Sequence, residues 1–330
     1  MSPRPIVIAH RGASGYRPEH SQAAFDLAIK QGAFAIEPDV VVSKDGVLVV
    51  RHDAELSLST DVRSRVEFAD RYTSKVVDGR VETGWFVEDF TWAELSTINC
   101  VEPYPQIRLN SATHSGEQPL LRLTDVLKIA QRASSKPTVV IELKHPSYFA
   151  ALGFDMAELL GQVIADAGWK RNDPRLVVES FEKSVLIRLR TSGIATQHIY
   201  LCEHDGSAYD EVQRLGGGLN YRDELSSSGM INVAKEVTGI SLDVSILLNR
   251  DGSGPALVQR AHDLGLTVYA LTLRAENKFL PRDYAQGFDP KNWGRWQDYF
   301  RRILDTGVDG IFADQPDIAL QLIAEREPRP

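Results

Sequence analysis

An α/β fold, its parallel strands closed into a barrel with helices outside, is predicted on three observations. Short β-branched runs alternate with amphipathic helical segments almost throughout the chain. Eight of these runs qualify as strands, the number that closes a (β/α) barrel. No glycine-rich fingerprint follows the first run, which disfavours a doubly wound dinucleotide-binding sheet. The length of 330 residues fits one large barrel or two average domains and does not choose between them.

In chain order, the predicted strands are residues 5–9, 34–39, 47–52, 138–143, 176–180, 198–201, 267–273 and 310–313. The clearest helix follows Asp155. Met156, Leu159, Leu160, Val163, Ile164 and Ala167 keep helical spacing, Asp155 and Glu158 resemble a capping box, and Gly168 closes the segment. Gly32, Gly193, Gly265 and Gly307 give the same stop signal to other helices, and Pro255 stands where a first helical residue belongs. Trp293 and Trp296, with Tyr299, Phe300, Ile303 and Leu304, read as the packed face of a late helix. Gly216-Gly217-Gly218 lacks the Lys-Ser/Thr of a phosphate loop and reads as a flexible connector. Residues 54–119 break the rhythm, with several Pro and Gly and a mix of aromatic and charged residues. They leave directly after His52, so they are expected to form an insertion over the barrel mouth.

A net charge of −8, from 37 basic and 45 acidic residues, argues against a nucleic-acid partner, which calls for a basic face. No run of about 20 apolar residues is present to insert stably in a membrane. Met1-Ser2-Pro3-Arg4-Pro5 runs straight into a strand and leaves no room for a signal peptide, so a cytoplasmic location is expected. Trimming of a longer precursor would make it periplasmic or secreted. Cys100 and Cys202 form no metal-ligand spacing and are expected to pack as free thiols.

Chemistry concentrates in the first 53 residues. Glu37 and Asp39 are two apart on a predicted strand, so both point to one face and can reach a single hard cation. His10 and His52 end neighbouring apolar runs, and Arg11 follows the first. Thirteen residues separate Asp39 from His52, near the lower limit of about 10–12 for a helical crossover, so the chain is expected to bend back at Ser43-Lys44-Asp45-Gly46. Glu142 and Lys144 share a face at another strand end, as a third carboxylate and a point charge for a phosphate oxygen. All-oxygen ligands select Ca²⁺ or Mg²⁺ over zinc. Burying so many charges is costly without a cation or substrate. The group suits metal-assisted cleavage of a phosphate ester.

The motifs are specific enough to point to a family. Ala9-His10-Arg11-Gly12, Pro18-Glu19-His20-Ser21, Ile36-Glu37-Pro38-Asp39-Val40, Lys44-Asp45-Gly46, His52-Asp53, Ile141-Glu142-Leu143-Lys144, Ser180-Phe181 and Gly307-Val308-Asp309-Gly310 resemble those of the glycerophosphodiester phosphodiesterases. The stretch from His10 to Tyr16 and the segment after His52 look most like the larger bacterial subgroup with an insertion. The resemblance implies a single TIM (β/α)8 barrel over the whole chain, with Glu37, Asp39 and Glu142 on one divalent cation, Ca²⁺ favoured and Mg²⁺ the alternative. It implies His10 and His52 as the acid–base pair, His10 favoured as base, acting on a small-molecule glycerophosphodiester. Arg11 and Lys144 would hold the phosphate and Phe181 the glycerol carbons. His20 stands where the family often has Asn. Leu271, within Tyr269-Ala270-Leu271-Thr272, replaces an aromatic that would line the pocket, so the head-group preference does not carry over.

Two other functions remain compatible with the residues. A lysophospholipase D would need an apolar patch near the mouth, for which Trp85, Phe86, Phe90 and Trp92 are candidates. A catalytically silent binding protein would have no use for paired histidines. The sequence does not address oligomeric state.

Overall fold

The computed structural model describes residues 4–216, 219–249 and 251–326. Gly217 and Gly218 of the glycine run, and Met1-Ser2-Pro3, lie outside the described residues. The strands are β1 (Ile6–His10), β2 (Ala35–Glu37), β3 (Asp39–Val42), β4 (Leu48–Val50), β5 (Thr73–Val77), β6 (Arg80–Gly84), β7 (Thr138–Leu143), β8 (Leu176–Ser180), β9 (Gln197–Cys202), β10 (Gly239–Asp243), β11 (Thr267–Leu273) and β12 (Gly310–Ala313). Hydrogen bonding runs β2-β1-β12-β11-β10-β9-β8-β7, and β7 pairs back onto β2. All those pairings are parallel, so the eight strands close a TIM barrel.

Closure buries both faces of each strand, which is why the strands read as continuous apolar runs. Ile8, Ala35, Val140, Val177, Ile199, Tyr269 and Phe312 pack together as one cluster, a layer contributed by different strands. Their chain neighbours Val7, Ala9, Ile36, Val139, Ile141 and Val178 face the other way, into the larger core with the helices. Asp155 caps helix Met156–Asp166 by accepting from the Ala157 and Glu158 amides, and Ser21 caps Gln22–Gln31 by accepting from Ala24. Helix Gly254–Asp263 has Pro255 in its first turn, and Trp296–Leu304 buries Tyr299, Phe300, Ile303 and Leu304. Trp293 lies before that helix and is exposed. Among the described residues no helix is long and apolar enough to cross a membrane.

Residues 47–52 do not supply a barrel strand. The turn at Ser43–Gly46 bends the chain back, and β4 lies antiparallel on β3, Val40 opposite Val50. The eighth barrel strand is β10 instead, which has only Ile240 and Leu242 as large apolar residues among Gly239, Ser241 and Asp243. Gly239 is required there, since a Cβ would meet the Ile199 side chain at 2.7 Å and the Thr267 carbonyl at 2.8 Å.

The turn after β1 is closely packed near the barrel mouth. Gly12 has φ +83°, and a Cβ there would stand 2.6 Å from the Ala24 carbonyl carbon. Gly12→Ala is expected to destabilise the protein by about 1–3 kcal/mol through backbone strain, with further cost from the clash. The urea midpoint measures the loss, and an unchanged midpoint would contradict the packing.

Candidate active site

The C-terminal ends of the barrel strands carry the polar residues. His10, Glu37, Glu142, Glu179 and Asp243 lie at or one residue from their strand ends, and Asp314 immediately follows β12. These side chains, apart from Asp314, help line a cavity of about 620 Å³ together with Arg11, His52, Lys144, Phe181 and Leu271. Enzymes built on this fold place their sites at this face.

Register explains the convergence. His10 pairs with Glu37 across β1 and β2, Asp39 with Glu142 across β3 and β7, and Glu142 with Glu179 across β7 and β8. Pro38 interrupts the strand, yet its carbonyl still accepts from the Glu142 amide at 3.0 Å. Carboxylate oxygens of Glu37, Glu142 and Glu179 lie within 4.8 Å of one another. Asp39 sits beside this trio, its Oδ2 3.2 Å from both Arg11 Nε and His20 Nε2. Glu37 Oε1, Asp39 Oδ1 and Glu179 Oε2 are buried without a hydrogen-bond partner, while Asp39 Oδ2 has only its ion pair with Arg11. Lys144 Nζ lies 2.7 Å from Glu142 Oε1 as an ion pair. Burial and the neighbouring carboxylates push Glu37 and Glu179 well above the usual carboxylate range. Burial likewise raises Glu142 to about 8, Asp39 adding to it against Lys144. Burial opposes but Arg11 and Lys144 hold Asp39 well below that range.

Each histidine is backed by a carboxylate. His10 Nδ1 lies 2.6 Å from Asp314 Oδ1, and His52 Nδ1 lies 2.7 Å from Asp53 Oδ1. With a carboxylate accepting from Nδ1, the lone pair of a neutral ring sits on Nε2. At His52 that atom is 3.1 Å from Lys144 Nζ, which has only donors to offer. Burial and the Arg11 charge bring His10 down to about 4, and burial, Arg11 and Lys144 lower His52. His10 is therefore neutral near pH 7.

Arg11 is at φ +58°, which turns its amide onto Glu37 Oε2 at 2.7 Å. Its guanidinium donates to both oxygens of Glu19, at 3.1 and 3.0 Å, while still lining the cavity. Lys144 Nζ lies 5.3 Å from the centre of the Phe181 ring, so these two predicted contacts form one wall. Asp314 is clamped by Arg108 at 2.5 Å and Arg274 at 2.8 Å, and Arg108 also reaches Glu276 at 2.8 Å.

Sequence reasoning passed over Glu179 and Asp314, and named Asp53 only within the motif His52-Asp53 without its role behind the ring. The signal for Glu179 was a lone acid in the apolar run Leu176-Val177-Val178, and for Asp314 a lone acid after Phe312-Ala313. Trp85, Phe86, Phe90 and Trp92 do not form a mouth patch. Phe86 and Phe90 are fully buried, and Trp85 Nε1 donates to the Phe68 carbonyl. The part of residues 54–119 that lines the cavity is the β5–β6 hairpin, through Val77, Asp78, Gly79, Arg80 and Glu82.

A barrel with carboxylate-backed histidines around a buried acidic cluster has the features of a hydrolase site for phosphate esters. Residues 10–318 match the model of the glycerophosphoryl diester phosphodiesterase family, and the chain belongs to that family. It is 31% identical over 326 residues to a glycerophosphodiester phosphodiesterase of Arabidopsis thaliana, covering 94% of this chain and 84% of that protein. A glycerophosphodiester phosphodiesterase of Haemophilus influenzae is 26% identical, with 96% and 89% covered. An Oleispira antarctica phosphodiesterase, solved in complex with the product sn-glycerol-3-phosphate, shares the fold at 20% identity and a TM-score of 0.61, with 97% of each chain covered. A glycerophosphodiester phosphodiesterase from Parabacteroides distasonis also gives 0.61, at 19% identity with 99% of each covered.

Proposed function

We propose that this phosphodiesterase hydrolyses small glycerophosphodiesters to sn-glycerol 3-phosphate and an alcohol, with one divalent cation held by Glu37, Asp39 and Glu142. The observation that carries the reading is the pairing of carboxylate-backed His10 and His52 with buried carboxylate oxygens that no protein donor satisfies. Such orphaned oxygens fit a hard cation, and the all-carboxylate set favours Ca²⁺, with Mg²⁺ as the alternative. When bound, the cation would neutralise phosphate charge at the reacting centre.

The protein's own groups do the rest. His10 takes the proton of the attacking hydroxyl on Nε2, and Asp314 stabilises the imidazolium that forms. His52, once its Nε2 has taken up a proton, delivers that proton to the leaving oxygen, with Asp53 accepting from Nδ1 and stabilising the imidazolium until it is discharged. Lys144 and Arg11 face the phosphate, and Phe181 covers the glycerol carbons. Release of glycerol 3-phosphate from glycerophosphocholine, with Ca²⁺ or Mg²⁺ supplied, tests the reading. Binding without release would make the chain a silent binding protein, and faster turnover of lysophosphatidylcholine would make it a lysophospholipase D.

We further propose that residues 54–119 are an insertion over the mouth of a single barrel, reading the alcohol through the β5–β6 hairpin. Arg80→Ala is expected to change the ratio of rates between glycerophosphocholine and glycerophosphoglycerol at least about threefold while stability moves within about 0.5 kcal/mol, as for surface changes generally. Unchanged relative rates would place head-group choice elsewhere.

A further inference from the structure

We propose that Glu179 is a fourth carboxylate ligand of the cation. The inference rests on reading the acidic cluster as a cation seat and extends it to a residue on a different strand.

Asp39, Glu142 and Glu179 occupy one continuous rung of the barrel, each the register partner of the next across β3, β7 and β8. Parallel register partners point to the same face, so this rung aims three carboxylates into one space. Glu37 closes the group from β2, and oxygens of Glu37, Glu142 and Glu179 are mutually within 4.8 Å. Glu179 is 1% exposed, and its Oε2 has no hydrogen-bond partner. Buried acids outside the cluster have a donor on at least one oxygen. Glu182 accepts from Ser147, Glu224 from Tyr200 and Lys183, and Asp314 from Arg108 and Arg274. An unsatisfied buried carboxylate among three others is costly unless something positive meets it.

Four carboxylates also suit Ca²⁺, which takes six to eight oxygens, better than Mg²⁺, which keeps most of its waters and uses one or two carboxylates.

Calorimetric titration of the full chain with Ca²⁺ and, separately, Mg²⁺, after chelation and desalting, tests the assignment without reference to turnover. Glu179→Gln is expected to raise the Ca²⁺ Kd on the order of tenfold or more and to affect Mg²⁺ less. Glu179→Asp keeps the charge one methylene further back, should fall between, and replaces the amide variant if that one fails to fold. An unchanged Ca²⁺ Kd in Glu179→Gln, while Glu142→Gln abolishes binding, overturns the role of Glu179 and leaves the seat standing. If the wild-type chain binds neither ion, the seat itself is wrong.

Discussion

His10→Ala and His52→Ala are each expected to lower kcat by ~10²-fold or more, the contribution of a positioned proton-transfer group. A phosphodiester is stable at neutral pH, so both deprotonation of the nucleophile and protonation of the leaving oxygen are needed. Either histidine keeping near-wild-type kcat would make it structural. Asp314→Asn provides a sharper test of His10. The amide no longer holds the Nδ1–H tautomer, and loss of the carboxylate's charge removes an influence that raises the His10 pKa against burial and Arg11. The variant should therefore lose kcat with little change in cation affinity. For the wild type, the acid limb of kcat/KM is expected below pH 6.5, because His10 stays neutral down to about 4. A limb at or above 6.5 would mean that a different group is the base. Transient cyclic glycerol phosphate, seen by phosphorus NMR in a single turnover, would identify the substrate's own hydroxyl as nucleophile; its absence would favour water.

Much of this arrangement was legible because barrel strands announce their ends. A charged residue closing a buried apolar run has no structural reason to be there, and His10, Glu37, Asp39, Glu142 and Lys144 all declare themselves in that way. Glu179 follows the same rule but stands alone in its run, and nothing in one dimension says that β8 is the register neighbour of β7. Asp314 was hidden for a similar reason. Its meaning is its contact with His10, 304 positions away. The β10 strand escaped because Gly239 and Ser241 dilute its apolar pattern where close packing against β9 and β11 demands small residues. Residues 47–52 have the right composition for a barrel strand, and tertiary pairing with β3 overrides that preference.

Removal of the divalent cation is expected to abolish turnover and to make stability rise as pH falls from about 8.5 to 6.5. In the metal-free protein Glu37, Glu142 and Glu179 titrate above the ordinary carboxylate value, burial being the first cause and neighbouring carboxylates the next, with Glu142 at about 8. A group raised in the folded state binds its proton there more readily than in the unfolded chain. Its contribution is complete below the unfolded pKa of about 4.5 and is lost as pH rises through the folded value. Metal-free protein should therefore gain stability as pH falls from about 8.5 to 6.5, at about 1.4 kcal/mol per unit for each of these groups that is protonated in the folded chain and ionised in the unfolded one. Below 6.5 the gain is opposed. His10 and His20, both lowered to about 4, refuse protons that the unfolded chain accepts, so their contribution falls with pH. With Ca²⁺ bound the carboxylates stay ionised and the gain between 8.5 and 6.5 disappears. Calcium uptake near pH 7 should release protons, visible as a binding enthalpy that varies with the ionisation enthalpy of the buffer. Full turnover in excess chelator, with metal removal verified, would reject the cation's role. Identical pH–stability curves with and without Ca²⁺ would show that the carboxylates are not its ligands.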